Sequence, residues 1–184
     1  RPRVHLEGDE RVIEWPQNRL LKARPPGADR DFLLLQGVEP HLRWRTFTGI
    51  IADVMRETGC TTSITLGAQP AGVPHTRPLP LNLSASHTDF EDLFGLRAPA
   101  SRYQGPTGIV GVMNLHHRAL QWRNASLWAL IPHYLTIGPN PNAAISLVGA
   151  LDSAYHLTTP TDPLHTQAEE FLRQVRQAMS QSSD

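Results

Sequence analysis

Three histidines of this chain stand beside prolines, in segments that read as loops following strands. The segments are Gly37-Val38-Glu39-Pro40-His41, the run from Gly67 to Pro78 that contains Pro74-His75-Thr76-Arg77-Pro78, and Pro132-His133-Tyr134, which continues to Gly138-Pro139-Asn140-Pro141-Asn142. Proline fixes its own φ, so polar side chains between prolines are held at low entropic cost, as a binding surface requires. Glu39, His75 and Arg77 would place a carboxylate, an imidazole and a guanidinium in such loops. The competing reading is structural: the same groups cap helices and satisfy buried carbonyls.

Other chemistries fail on residue type or spacing. Gly67 to Gly72 has the glycine spacing of a phosphate-binding loop, but Val73-Pro74 stands where Lys and Ser or Thr are needed. The turn Gly105-Pro106-Thr107-Gly108 precedes a helical pattern and could offer backbone N–H groups to an anion or simply start the helix. Its glycines lack dinucleotide-binding spacing. Cys60 follows the C-terminal end of a predicted helix, where the dipole opposes a thiolate, so it reads as a small buried hydrophobe. No Gly-x-Ser-x-Gly elbow occurs. His116 and His117 are adjacent on a helix and point about 100° apart, so they cannot chelate together. One cysteine and no His-Glu-x-x-His exclude a structural zinc on ligand count. His41, His75 and His133 are left as a metal set only if the fold makes them converge. No cofactor is expected.

These loops need elements to hold them. Val4–Leu6 and Val12–Trp15 flank Glu7-Gly8-Asp9-Glu10 as an edge hairpin, whose apolar side chains need cover from another subunit. Leu20–Ala23 adds a strand, and Asp31–Gln36, apolar without alternation, reads as a strand buried on both faces. Apolar residues at Trp44, Phe47, Ile50, Ile51, Val54 and Met55 predict a helix over 42–58, closed by Gly59. Thr61–Leu66 is the next strand, followed by a loop to about Pro80. Thr88 and Glu91 match a capping box for a short helix ending at Gly95. Helices follow over 108–120, 142–155 and 164–181, with a buried strand at Ser126–Ile131 stopped by Pro132, and the end at 182–184 is expected to fray. Strands alternating with helices give an α/β layered sheet whose strand-end loops build the site.

The composition fits that frame. The 184 residues suit one domain, 40% are hydrophobic and 18% charged, and 16 prolines with 13 glycines are spread between apolar segments. Seventeen basic and 17 acidic residues leave no formal charge, which argues against nucleic-acid or anionic-membrane partners. No apolar run approaches the roughly 20 residues that span a bilayer. A single cysteine suits a reducing compartment, and Arg1-Pro2-Arg3-Val4 is no signal peptide, so a cytoplasmic protein is expected.

In their order, these loops resemble the proteasome assembly chaperone 2 family in its actinobacterial form. The resemblance rests on Leu35-Gln36-Gly37-Val38-Glu39-Pro40 with Arg43-Trp44, on Pro74-His75-Thr76-Arg77-Pro78, on Tyr103-Gln104-Gly105-Pro106-Thr107-Gly108-Ile109, and on Leu127-Trp128-Ala129 with Pro132-His133-Tyr134. It covers about residues 1 to 156 and leaves 157–184 as a C-terminal helical extension. It implies a three-layer α/β/α sandwich, similar to nucleoside phosphorylases and related hydrolases, with a mainly parallel or mixed sheet. It further implies a homo-oligomer, with a trimer favoured, and protein partners such as proteasome subunits. The family's opening strand, its Gly-Trp-Asn-Asp-Ala-Gly-like turn and the helix after it do not occur here, so the chain is expected to lack that segment. The candidate binding residues are Glu39, His41, Trp44, His75, Arg77, Tyr103, Thr107, His133 and Tyr134, and no catalytic residue or metal ligand is assigned. A non-enzymatic interaction protein is the leading reading; a phosphorylase-like or hydrolase-like enzyme and a small anionic-ligand module are the alternatives.

Overall fold

The apolar runs beginning near Thr62 and Arg123 are the two longest strands of the protein, and they lie side by side. The computed structural model describes residues 2–135 and 138–181; the end expected to fray lies outside them. In chain order the elements are β1 (Arg3–Glu7), β2 (Glu10–Glu14), β3 (Arg19–Ala23), β4 (Phe32–Gln36), α1 (Trp44–Glu57), β5 (Thr62–Ala71), β6 (Leu81–Ala85), α2 (Asp89–Phe94), α3 (Ile109–Ala119), β7 (Arg123–Pro132), α4 (Pro141–Tyr155) and α5 (Asp162–Gln181). β7 is central in a mixed sheet of order β5-β7-β6, parallel to β5 and antiparallel to β6. β1–β2 and β3–β4 are separate antiparallel pairs.

The period of two along β7 sorts its side chains between two helical layers. Ala125, Leu127 and Ala129 face Leu83 of β6, Phe90 of α2, and Ala143 and Leu147 of α4 in the buried core. Asn124 and Ser126 face the other way; α3 supplies partners for Asn124, and Thr65 of β5 and Trp128 of β7 itself supply those of Ser126. Asn114 takes a hydrogen bond from Asn124 Nδ2 at its own carbonyl, 3.2 Å away, and its amide donates to Thr65 Oγ1 at 3.3 Å. Thr65 in turn donates to Ser126 Oγ at 2.7 Å, which also accepts the Trp128 indole N–H at 2.9 Å. α1 packs on α3, and α5 packs on α4, burying Ala168, Phe171 and Val175. The chain is therefore an α/β protein with helices on both faces of a mixed sheet. Gly67 is required by this packing, because a Cβ there would sit 2.7 Å from the Trp128 ring.

Several local readings hold. The hairpin turns at Gly8 (φ +64°), Gly59 follows α1 at φ +69°, and Gly95 closes α2 at φ +61°. Asn140 caps α4, its side chain accepting the Asn142 and Ala143 N–H groups at 3.0 and 3.4 Å ahead of Pro141.

Other readings are corrected. β4 is not buried on both faces: Leu34 is 51% exposed, and Leu35 is exposed as well. Among the described residues β4 pairs only with β3 and β5 only with β7, and Leu33–Leu35 and Thr62–Leu66 line a common cavity of about 360 Å³. A run of leucines reports the capacity to be covered, not the presence of a neighbour. Cys60 is half-buried on that cavity instead of enclosed in the core. The capping box at α2 does not form; Glu91 instead accepts the Ala98 backbone N–H at 2.9 Å and pairs with Arg97. The loop expected from Gly67 is strand as far as Ala71, and β6 was not anticipated because five residues with two leucines carry little periodicity.

Leu127 is fully enclosed. Leu127→Ala is expected to lower the free energy of unfolding by about 2–5 kcal/mol, the cost of lost transfer energy plus a cavity, read from urea denaturation.

Candidate functional site

Because β5 and β7 are parallel, the chain leaves both at the same edge of the sheet. The two exits are tied together: the His133 backbone N–H donates to the Ala71 carbonyl at 3.1 Å, and its ring Nδ1 lies 3.2 Å from the same oxygen. Tyr134 reaches across to the other loop, its hydroxyl accepting the His75 backbone N–H at 3.0 Å and bonding the His75 ring Nδ1 at 2.9 Å. The His75 and His133 rings each meet the Tyr134 ring edge-on, with centroids 5.9 and 5.5 Å apart. Three of the candidate residues thus form one cluster. Arg77 does not touch it but lines a neighbouring cavity together with His75.

The remaining candidates lie elsewhere. Glu39 Oε1 accepts the Ile109 backbone N–H at 2.8 Å, placing a carboxylate at the first turn of α3. An exposed first-turn N–H group and the positive end of the helix dipole both favour that charge. The N–H that holds this carboxylate is that of Ile109, just after the Gly105–Gly108 turn, and none of the turn's own N–H groups reaches it among the described residues. Thr107 sits over Gly111, where a Cβ would lie 2.0 Å from its hydroxyl. The Tyr103 hydroxyl donates to the Pro106 carbonyl at 2.9 Å and packs on Gly105, so it shapes the same turn. The Trp44 indole N–H donates to the Pro40 carbonyl at 2.5 Å and fastens the Glu39 loop to the start of α1. His41 makes no side-chain contact among the described residues. No contact joins Glu39 to Arg77, and no three His, Cys, Asp or Glu side chains gather as a metal-binding group, both among the described residues.

A further histidine was read only as half of a non-chelating pair. His117 is buried beneath α3, with Nδ1 2.9 Å from Ser63 Oγ and its ring against Trp122. Nε2 has no hydrogen-bond partner among the described residues. A proton on Nδ1, donated to Ser63, leaves Nε2 a bare acceptor, the least costly state for an enclosed imidazole. Burial pushes its pKa below the ordinary value, and repulsion from His116 adds to the shift. The signal in the sequence was its position: His117 recurs four residues after Met113 and seven after Val110, on the inward stripe of α3.

The PAC2 family matches residues 1–179. Two solved structures resemble the chain closely. A PAC2 family protein from Streptomyces avermitilis is 35% identical with a TM-score of 0.84, over 96% of this chain and 75% of the other. A proteasome-assembly chaperone homologue from Mycobacterium tuberculosis is 36% identical at a TM-score of 0.84, with the same coverage of 96% and 75%. An archaeal proteasome activator from Pyrococcus furiosus, 16% identical, shares the fold at a TM-score of 0.76 over 96% of this chain and 77% of its own. No curated protein matches.

Two outcomes are expected. Glu39→Ala should destabilise the protein by about 0.5–2 kcal/mol, the range for loss of an N-terminal helix cap, seen as a lower denaturation midpoint. For His117, folding favours the neutral ring, so its stabilising contribution is complete above its ordinary pKa of 6.5 and is lost as pH falls below that. Denaturation midpoints at pH 8 and pH 5.5 should differ more in the wild type than in His117→Gln; equal differences would show that His117 does not titrate on unfolding.

Proposed function

The chain belongs to the PAC2 family, and from that membership we propose that it is a non-enzymatic interaction protein, an assembly chaperone working as a homo-oligomer in the cytoplasm. The observation that carries this reading is the β1–β2 hairpin. Its register sets Val4 opposite Ile13 and Leu6 opposite Arg11, so Val4, Leu6 and Ile13 share a face with one charged residue, Arg11, and strand alternation extends that face to Trp15. All four apolar side chains are exposed, Leu6 by 66% and Trp15 by 64%. The opposite face carries Arg3, His5, Glu7, Glu10 and Glu14 with Val12 among them, and His5 bonds Glu7.

A hairpin with one mainly apolar face and one mainly charged face needs a surface to lie on, and two strands alone are marginal in water. Another copy of the chain is the cover proposed, in a closed ring of three. Proteasome subunits are the proposed client. Support for that choice is the 36% identity to the M. tuberculosis proteasome-assembly chaperone homologue. The chain has no helix long and apolar enough to cross a membrane among the described residues.

Sedimentation velocity at micromolar concentration should show a trimer. Trp15→Ala should weaken association by about 2 kcal/mol or more, the scale of a buried aromatic anchor, and Leu6→Glu should release monomer. The far-UV circular dichroism of both variants should match the wild type, because these side chains contribute nothing to the core. A wild type that sediments only as monomer, or variants that still sediment as trimer, would remove the hairpin from the interface. A pull-down from native cells should recover proteasome subunits.

A further inference from the structure

A cavity of about 580 Å³ opens beside the carboxyl ends of β5 and β7, and its lining divides by chemistry. Its floor is apolar, with Leu79, Pro132, Ile145 and Phe171 contributing, and Leu79, Pro132 and Phe171 are themselves buried. Its rim is built from groups that donate hydrogen bonds or carry positive charge. His75 and Arg77 come from the loop after β5, Asn142 and Ser146 from successive turns of α4, and His165 and Arg176 from α5. Among the described residues, no Asp or Glu lines it.

That last fact sets this cavity apart from the two larger ones. There each cationic group has a carboxylate beside it: Arg123 pairs with Asp89, Arg30 with Asp29, and Lys22 with Asp31. Arg77 and Arg176 have no hydrogen-bond or ion-pair partner among the described residues. α5 does carry carboxylates near Arg176, but Asp162, Glu169 and Glu170 stay outside the lining, and Glu170 is taken by Arg173. The N–H groups of Asn142 and Ala143 are already held by Asn140, so the end of α4 adds a favourable potential without supplying free donors.

We propose that this cavity binds a small amphipathic anion: a carboxylate or phosphate monoester held between Arg77 and Arg176, with an apolar body lying on Leu79, Ile145 and Phe171. Guanidinium groups match either headgroup through paired N–H donors, and the floor rewards a body that a bare inorganic ion lacks. The size suits a compact organic ligand. This site does not depend on the hairpin or on self-association.

The test is calorimetric titration of the wild-type protein with 4-phenylbutyrate, its uncharged amide, 4-phenylbutyl phosphate and inorganic phosphate. One or both of the organic anions should bind, and whichever binds more tightly identifies the headgroup. The amide and inorganic phosphate should bind at least about ten-fold more weakly, since each lacks one half of the recognition. Arg77→Ala and Arg176→Ala should each weaken binding by about ten-fold or more with unchanged melting temperature, because both side chains are exposed and unpaired. Arg176→Lys should recover part of the loss. Amide NMR shifts of Leu79 and Phe171 should move with the ligand. Equal affinity for the amide, affinity for inorganic phosphate alone, indifference to both arginine substitutions, or no binding by about 10 mM ligand would each overturn the proposal.

Discussion

β7 is hydrogen-bonded along both edges and covered on both faces, and the rest of the protein adjusts to that enclosure. A strand so placed has no solvent to satisfy a misplaced polar group, and each one left unpaired would cost about 1–3 kcal/mol. Its apolar face is filled by α4 and α2. Its other face carries Asn124 and Ser126, which α3, the neighbouring strands and Trp128 satisfy. The chain Asn124–Asn114–Thr65–Ser126–Trp128 therefore fixes where α3 lies and how far it is turned. Arg118 extends the same seam to Ser84 of β6.

Fixing α3 fixes its N-terminus, and that end meets the loop after β4 through Glu39. The loops that looked most like a binding surface are in this way partly the fastenings of the fold. Glu39, Trp44, Tyr103 and Thr107 hold backbone turns in shape, whereas the loops after β5 and β7 hold one another through His75, His133 and Tyr134. Arg77 differs from all of these. It projects from the same proline-braced segment without a hydrogen-bond or ion-pair partner among the described residues, and α5 brings Arg176 to the cavity it lines.

Charge elsewhere in the protein is settled locally. Arg123 beside Asp89 and Arg30 beside Asp29 keep those carboxyls below their ordinary range, and Lys22 does so for Asp31 with help from Arg24. These pairs are exposed and contribute little to stability. Their interest lies in contrast: the strand-end cavity brings cations together without carboxylates, and the β1–β2 hairpin and the cleft between β4 and β5 bring apolar side chains together without cover.

Local physics made much of this legible in advance. Helix periodicity gave α1, α3, α4 and α5 within a few residues, positive-φ glycines marked the turn at Gly8 and the ends at Gly59 and Gly95, a β-branched run marked β5, and an apolar run stopped by Pro132 marked β7. Each of these depends on neighbours within a turn or two of chain, which a sequence displays directly. What the sequence could not display was pairing between distant segments. Six runs read as strands, yet nothing in Asp31–Gln36 says that its second edge stays open, and nothing in Leu81–Ala85, which is not among them, says that it completes the sheet beside β7. The site divided along the same line. Glu39 was visible as a charged group in a stiff loop, but its partner Ile109 lies 70 residues away, and His75 and Tyr134 are 59 apart. Nothing in the sequence sets Arg176 apart from the other charges of α5; only the packing of α5 against α4 places it at the cavity. Residue type determined what each group can do; tertiary structure alone decided which groups meet, because hydrogen bonds and burial are conditions on distance in space.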